Sequence, residues 1–261
     1  MLKRLPYLML ILFLALLTVP LRASPPIGAV VQDSHYDSAK SQLTVRVLNA
    51  SKKDITAIAL TVFITHPNGA EVSFRWSTDF VWGIINSAEA GYETEPGESH
   101  GFGAATSRDL NIPLSPPGVS YRATVDVVIY ADGNADVLDK AAFKWLVMLR
   151  KGWLVGMQEA NELLEKALAD PTDQHPSKTV EAQLKILANV LEADQHKNAD
   201  DPASYAETAL LDAAQNVRNT PKDPAGRSAG EDEHLRMIIK TYENHASLLS
   251  PHAAVVEGAR P

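Results

Sequence analysis

The sequence predicts an α+β chain, an antiparallel β-sandwich in the first half followed by a long helix and a C-terminal helical region. Three observations carry this. Between residues 27 and 130, apolar side chains recur at every second position in short runs divided by turn signals, the pattern of sheets with a buried face. From Val137 onward they recur at steps of three, four or seven, the stripe of an amphipathic helix. The change of period falls near Ala131.

Ahead of the strands, Lys3 and Arg4 precede an apolar run from Leu8 to Val19, which gives way to Pro20, Arg22, Ala23 and Ser24. A basic start, a short apolar middle and a small-residue exit have the order of a secretory signal peptide. Residues 1–23 are therefore expected to be removed after Ala23, although Leu21 is bulkier than such sites usually hold. The apolar run is shorter than the roughly 20 residues that cross a bilayer, so no membrane span is expected in the mature chain; a retained N-terminal anchor is the rival reading. Localisation would be periplasmic or extracellular. With no cysteine in the chain, disulfides, thiolate metal sites and thioether lipid attachment are ruled out. The 24 basic and 32 acidic side chains give a formal charge of −8. Lys3, Arg4 and Arg22 would leave with the leader. A surface of that sign repels phosphate backbones, so nucleic acid is not an expected partner.

A β-sandwich domain is expected over 27–135. "LTVRVLN" (43–49) alternates Leu43, Val45 and Val47 with polar residues and ends in the turn "NASKKD". "ITAIALTVFITH" (55–66) sets Ile58, Leu60, Val62 and Ile64 against Ala57, Ala59, Thr61 and Phe63, which marks a central strand. "HPNG" supplies turn chemistry, and "AEVSFRW" (70–76) is the returning hairpin arm. The polar, Gly- and Glu-rich stretch 86–103 is a long loop. "RDLNIPL" (108–114) carries Pro113, which suits an edge because proline donates nothing to a ladder. "YRATVDVVIY" (121–130) sends Tyr121, Ala123, Val125, Val127 and Ile129 one way. Several such strands with turns between them suggest a sandwich.

The helical region is expected over 136–250. A long helix covers 137–169, with a stripe that includes Leu138, Ala142, Trp145, Leu146, Trp153, Met157 and Leu164. Gly152 and Gly156 predict a bend or break within it, since each costs about 1 kcal/mol relative to Ala in a helix. Three helices follow. One starts near Ser177; one has Asp201 as N-cap before Pro202; the last covers 231–249, with acids in its first turn where the dipole favours them. Residues 219–230 compose a flexible linker, and 251–261 a disordered tail.

Motifs with chemical meaning are few. In "DGNAD", Asp132, Asn134 and Asp136 alternate as calcium ligands do, but an EF loop begun at Asp132 would put Val137 and Phe143 where glycine and a bidentate acid belong. A strand-to-helix corner suits the segment better, with Asp132 and Gly133 turning and Asn134 or Asp136 capping the helix. Glu231 and His234 have the spacing of half a di-iron carboxylate site; no second half exists, so a solvated first turn is expected. The eight histidines give no zinc-protease pair, and no Gly-x-Ser-x-Gly elbow is present. No metal, cofactor or catalytic residue is expected. "FRWSTDFVWG" (74–83) gathers Phe74, Trp76, Phe80 and Trp82, and Tyr92 and Phe102 follow. Aromatics on a sandwich rim stack on sugar or peptide ligands, so Trp76, Trp82, Tyr92 and Phe102 are the candidate binding residues.

With "VDVVIYADG" (125–133), a long helix containing "MLRKGW", and "LNASKKDITAIALTV" (48–62), whose Asn49, Ser51, Ile55 and Ala57 fit N-x-S-x-x-x-I-x-A, the chain resembles exported bacterial proteins with an immunoglobulin-like sandwich. The resemblance covers about 27–170. It implies the fold but no activity, and no functional residue carries over.

The resulting expectation is an exported, non-catalytic protein that binds a protein or envelope component through loop 86–103 and exposed aromatics. The long helix would offer its stripe to a second copy, giving a homo-oligomer. Two rival readings stand beside it: a secreted hydrolase using the loop acids Glu89, Glu93, Glu95 and Glu98, and a structural spacer of the envelope.

Overall fold

The computed structural model describes residues 27–81, 102–114, 118–195, 198, 200–221 and 226–257. The fold class is α+β, with two antiparallel sheets in the N-terminal half followed by helices. Strands β1 (Ala29–Asp37), β2 (Gln42–Asn49) and β5 (Ser107–Pro113) form one sheet, in the order β1-β2-β5. Strands β3 (Ile55–Thr65), β4 (Glu71–Asp79), β6 (Ser120–Tyr130) and β7 (Asn134–Val137) form the other, in the order β4-β3-β6-β7. Leu43, Val45 and Val47 of β2 share one buried cluster with Ile58, Leu60 and Val62 of β3. β1, with Gln32, Asp33, Ser34 and His35 in its middle, lacks the alternation of its neighbours and was not predicted from sequence.

A β-bulge decides which layer each half of β6 belongs to. Ala59 pairs with Val127 and Leu60 with Val125, so Asp126 is the extra residue. Alternation alone puts Val125 and Val127 on one face; the bulge separates them. Ala123 and Val125 join the inter-sheet cluster, whereas Val127 and Ile129 turn outward with Ala57 and Ala59. This outward patch is where the long helix α1 (Lys140–Ala169) packs through Ala142 and Leu146.

The expected corner at "DGNAD" is a hairpin instead. Residues 134–137 are β7, paired antiparallel with β6, and α1 begins at Lys140, three residues beyond the expected start. Its cap is Asp139, which accepts from the N–H groups of Ala141 (2.8 Å) and Ala142 (3.2 Å). Asn and Asp are good capping residue types, which is why the sequence points to Asn134 and Asp136, but both are taken up by β7.

Helices α2 (Pro176–Gln195), α3 (Glu207–Arg218) and α4 (Ala229–Ala253) close a second core with α1, containing Met157, Leu164, Leu184, Leu210 and Leu235. Asp201 caps only a short 3-10 turn (Pro202–Tyr205), after which α3 starts afresh. α1 is unbroken at Gly152 and Gly156. A Cβ at Gly152 would lie 2.4 Å from the Tyr205 Cβ, and one at Gly156 2.7 Å from the Ala206 carbonyl oxygen. These glycines admit the 3-10 turn against the helix without interrupting it.

Residues 251–257, expected to belong to a disordered tail, are helix and strand for the most part. α4 continues through Pro251, and Val256–Glu257 (β8) pairs parallel with β7 at the edge of the second sheet. Before α4, Arg227 donates to the carbonyl oxygens of Asp170 and Leu168 at the C-terminus of α1 and pairs with Asp232 at 2.8 Å. Composition predicts a flexible linker there; Gly226–Ser228 is instead pinned by an arginine that satisfies orphan helix carbonyls.

Candidate functional site

The only solvent-facing aromatic on the α1 stripe is Trp145. Leu146, Trp153, Met157 and Leu164 are buried inside the chain, whereas Trp145 is 42% exposed. Most of the stripe is thus taken up by the chain's own sheet and helices, with Leu138 and Trp145 left exposed at its start.

Trp145 stands at a groove of about 430 Å³ between the first turns of α1, the outer face of β3 and β4, and the 3-10 turn. Small side chains, Ala59, Ala141 and Ala142, line its apolar part, together with Tyr205. Their size holds the groove open, since a larger side chain at any of them would fill it. Arg75, Ser77 and Lys144 supply its polar part. Both cations are paired: Arg75 with the capping Asp139 at 2.6 Å, and Lys144 with Asp200.

The electrostatics follow from these contacts. Burial would raise the Asp139 carboxyl, but the N–H donors of Ala142 and Ala141 and the Arg75 charge outweigh it and hold the group below the usual carboxylate range. Asp126 moves the other way, raised by burial and by the Asp139 charge despite the 2.5 Å bond donated by the Thr61 hydroxyl. Asp126 is the bulge residue, and its backbone carbonyl accepts from Leu138 N–H at 2.7 Å, tying the bulge to the start of α1.

The residues expected from sequence to bind divide unequally. Trp76 borders the groove, but it pairs with Leu60, so its side chain lies on the opposite face of β4 from Arg75 and Ser77 and packs against the inter-sheet cluster. Phe102 is 2% exposed and edge-on to Phe80 in the same cluster, so it is a core residue and offers a ligand nothing. Trp82, Tyr92 and the acids of loop 86–103 lie outside the described residues. Trp145, placed by sequence on a core stripe, is the aromatic that the groove presents. Its signal was ambiguous because a 3.6-residue stripe does not show which of its members reach the end of the covered surface.

The other motifs resolve into structural roles. Asp132 pairs with Lys53 at 2.7 Å and accepts from Asn134 N–H, while Asp136 accepts the Tyr130 hydroxyl at 2.5 Å and Gly28 N–H at 2.8 Å. These carboxylates diverge to separate partners, and among the described residues no three His, Asp or Glu side chains converge as metal ligands do. Glu231 is not a solvated first-turn acid. It is buried and accepts from both the backbone N–H (3.0 Å) and the hydroxyl (2.5 Å) of Ser177, so that it caps α2 from another helix. Asn49, the first residue of the N-x-S pattern, is fully buried; its amide donates to the carbonyls of Lys53 and Phe102 while its oxygen accepts from Ser51. That pattern is a clamp on the β2–β3 turn.

No protein-family model, curated protein or solved structure gives a significant match to this chain. Among the described residues, no helix is long and apolar enough to cross a membrane.

Proposed function

We propose that this is an exported, non-catalytic binding protein of the bacterial envelope, with an immunoglobulin-like sandwich as its N-terminal half. It engages a protein or envelope component through the groove beside Trp145 and through loop 86–103. The observation that carries this reading is the exposure of Trp145 at an open groove while Leu146, Trp153, Met157 and Leu164 of its stripe are buried. An indole set among small apolar side chains and two rim cations suits an amphipathic ligand: the ring supplies contact area and Arg75 and Lys144 supply orientation.

Two experiments test it. N-terminal sequencing of the protein recovered from the producing cell's envelope fraction is expected to begin at Ser24; a chain retained in the cytoplasm with Met1 intact overturns export. Affinity capture from envelope extract is expected to enrich a component with the native chain and lose it with Trp145→Ala or with 86–103 deleted. Equal capture by all three chains overturns the assigned surface, and turnover of glycoside or peptide substrates overturns the non-catalytic reading.

A further inference from the structure

A second concavity lies in the helical half, away from the groove. About 520 Å³ in volume, it runs between the C-terminal end of α3 and one face of α4, within the roughly 300–1,000 Å³ range of sites for drug-sized ligands. On α4 its lining follows the helix repeat through His234, Met237, Ile238, Thr241, Asn244, His245 and Leu248; α3 contributes Asn216 and Asn219. Leu235, Ile238, Tyr242, His245 and Leu249 of α4 are buried, so Ile238 and His245 form the floor of the cleft while Met237, Asn244 and Leu248 are its exposed members on this helix. The two helices are bridged by polar contacts beneath the cleft. Asn216 donates to the Tyr242 hydroxyl at 2.9 Å, and that hydroxyl donates to Asp212 at 3.1 Å.

The chemistry of the lining narrows what it takes. It includes no Lys, Arg, Asp or Glu, so a charged ligand would lose hydration with no counter-charge in return. Its lining includes no Trp, Tyr or Phe to stack on a sugar ring, and the nearby Tyr242 is buried with its hydroxyl committed. It does offer three carboxamides, each carrying a donor and an acceptor as a peptide group does, interleaved with exposed Met237 and Leu248. From His234 to Leu248 the helix rises about 21 Å at 1.5 Å per residue, the length of roughly six residues of extended chain at 3.3 Å each.

We propose that the α3–α4 cleft binds a short, uncharged stretch of extended polypeptide, its backbone hydrogen-bonded by Asn216, Asn219 and Asn244 and its apolar side chains set against Met237 and Leu248. This site is independent of the groove at Trp145.

The test is a titration of the 15N-labelled full chain with acetyl-trileucine methylamide, following the side-chain NH2 signals of the three asparagines. Saturable shifts of those signals are expected, with affinity at least about tenfold weaker for the analogue whose central amide is replaced by an ester, which lacks the N–H donor. Asn244→Ala and Met237→Glu, both at exposed positions, are expected to weaken binding by a similar factor while the rest of the spectrum stays dispersed; Trp145→Ala is expected to leave it unchanged. No shift at millimolar peptide, equal affinity for the ester analogue, or the same signals moving with cellobiose instead would overturn the assignment.

Discussion

Arg150, in the middle of α1, donates from Nε to Asp79 Oδ2 at the end of β4 across 2.5 Å, and neither side chain has meaningful contact with solvent. The same guanidinium donates to the Thr56 hydroxyl of β3 and to the His252 carbonyl near the end of α4, each at 3.0 Å. One side chain thus joins the second sheet, the long helix and the last helix. The planar, five-donor fork of arginine suits three acceptors in different directions; a lysine ammonium would not reproduce it.

Removing either partner leaves an uncompensated buried charge. Arg150→Met and Asp79→Leu are each expected to cost about 3–5 kcal/mol, and the double substitution less than either alone, because an apolar pair can replace a buried ion pair at little cost. Urea unfolding of the four proteins checks this; additive losses would show that the two groups act separately. Arg150→Met should also speed hydrogen exchange at 252–257, since the bond to the His252 carbonyl goes with it.

Gly152→Ala is expected to destabilise the protein although alanine is the better helix former. The gain of about 1 kcal/mol in propensity is opposed by a Cβ placed 2.6 Å from the Tyr205 backbone carbon, and overpacking of that kind costs about 1–3 kcal/mol. Gly230→Ala, which meets nothing nearer than 4.0 Å, should move the melting temperature the opposite way. Thermal unfolding of the two variants side by side decides between a packing role and simple tolerance of glycine.

Glu231→Ala removes the acceptor for two donors at the start of α2. Bonds to a charged acceptor contribute about 1.5–3 kcal/mol, so the loss should exceed that of Ser177→Ala, which leaves the backbone bond in place and is expected to cost about 1 kcal/mol. Denaturant titration of both variants checks the order; a Glu231→Ala protein as stable as the native one would return this acid to the surface.

Burial pushes the His245 imidazole below its ordinary value of 6.5. The unfolded chain takes up that proton near 6.5, so between there and the lower folded value the unfolded state holds more protons and stability rises with pH. The contribution is complete above about 6.5 and is lost progressively on acidification. His245→Phe, which keeps a ring edge-on to Tyr242, should flatten the fall in unfolding free energy between about pH 7 and pH 5. An unchanged slope would place the titration elsewhere.

Much of the architecture is legible in the sequence. The two-residue rhythm of β2, β3 and β6 and the 3.6-residue rhythm of α1 and α4 report local burial, and burial on one face is what each period encodes. Elements without a period were lost: β1 is polar at its centre, and β7 and β8 are too short to show one. Phe102 illustrates the limit for sites, because composition places an aromatic in a polar loop but only the fold shows which side of the sheet its ring enters.

The sequence by itself determined that a sheet-built half precedes a helical half and that thiol chemistry has no place here, because these depend on residue type and near-neighbour spacing. Tertiary structure alone decided the hairpin at 130–137, the bulge at Asp126 that divides β6 between two cores, the trans cap by Glu231, and the exposure of Trp145. The hairpin strand is too short to show a period, and the others are contacts between residues far apart in the chain or a shift of one residue in register. Local patterns carry no record of either.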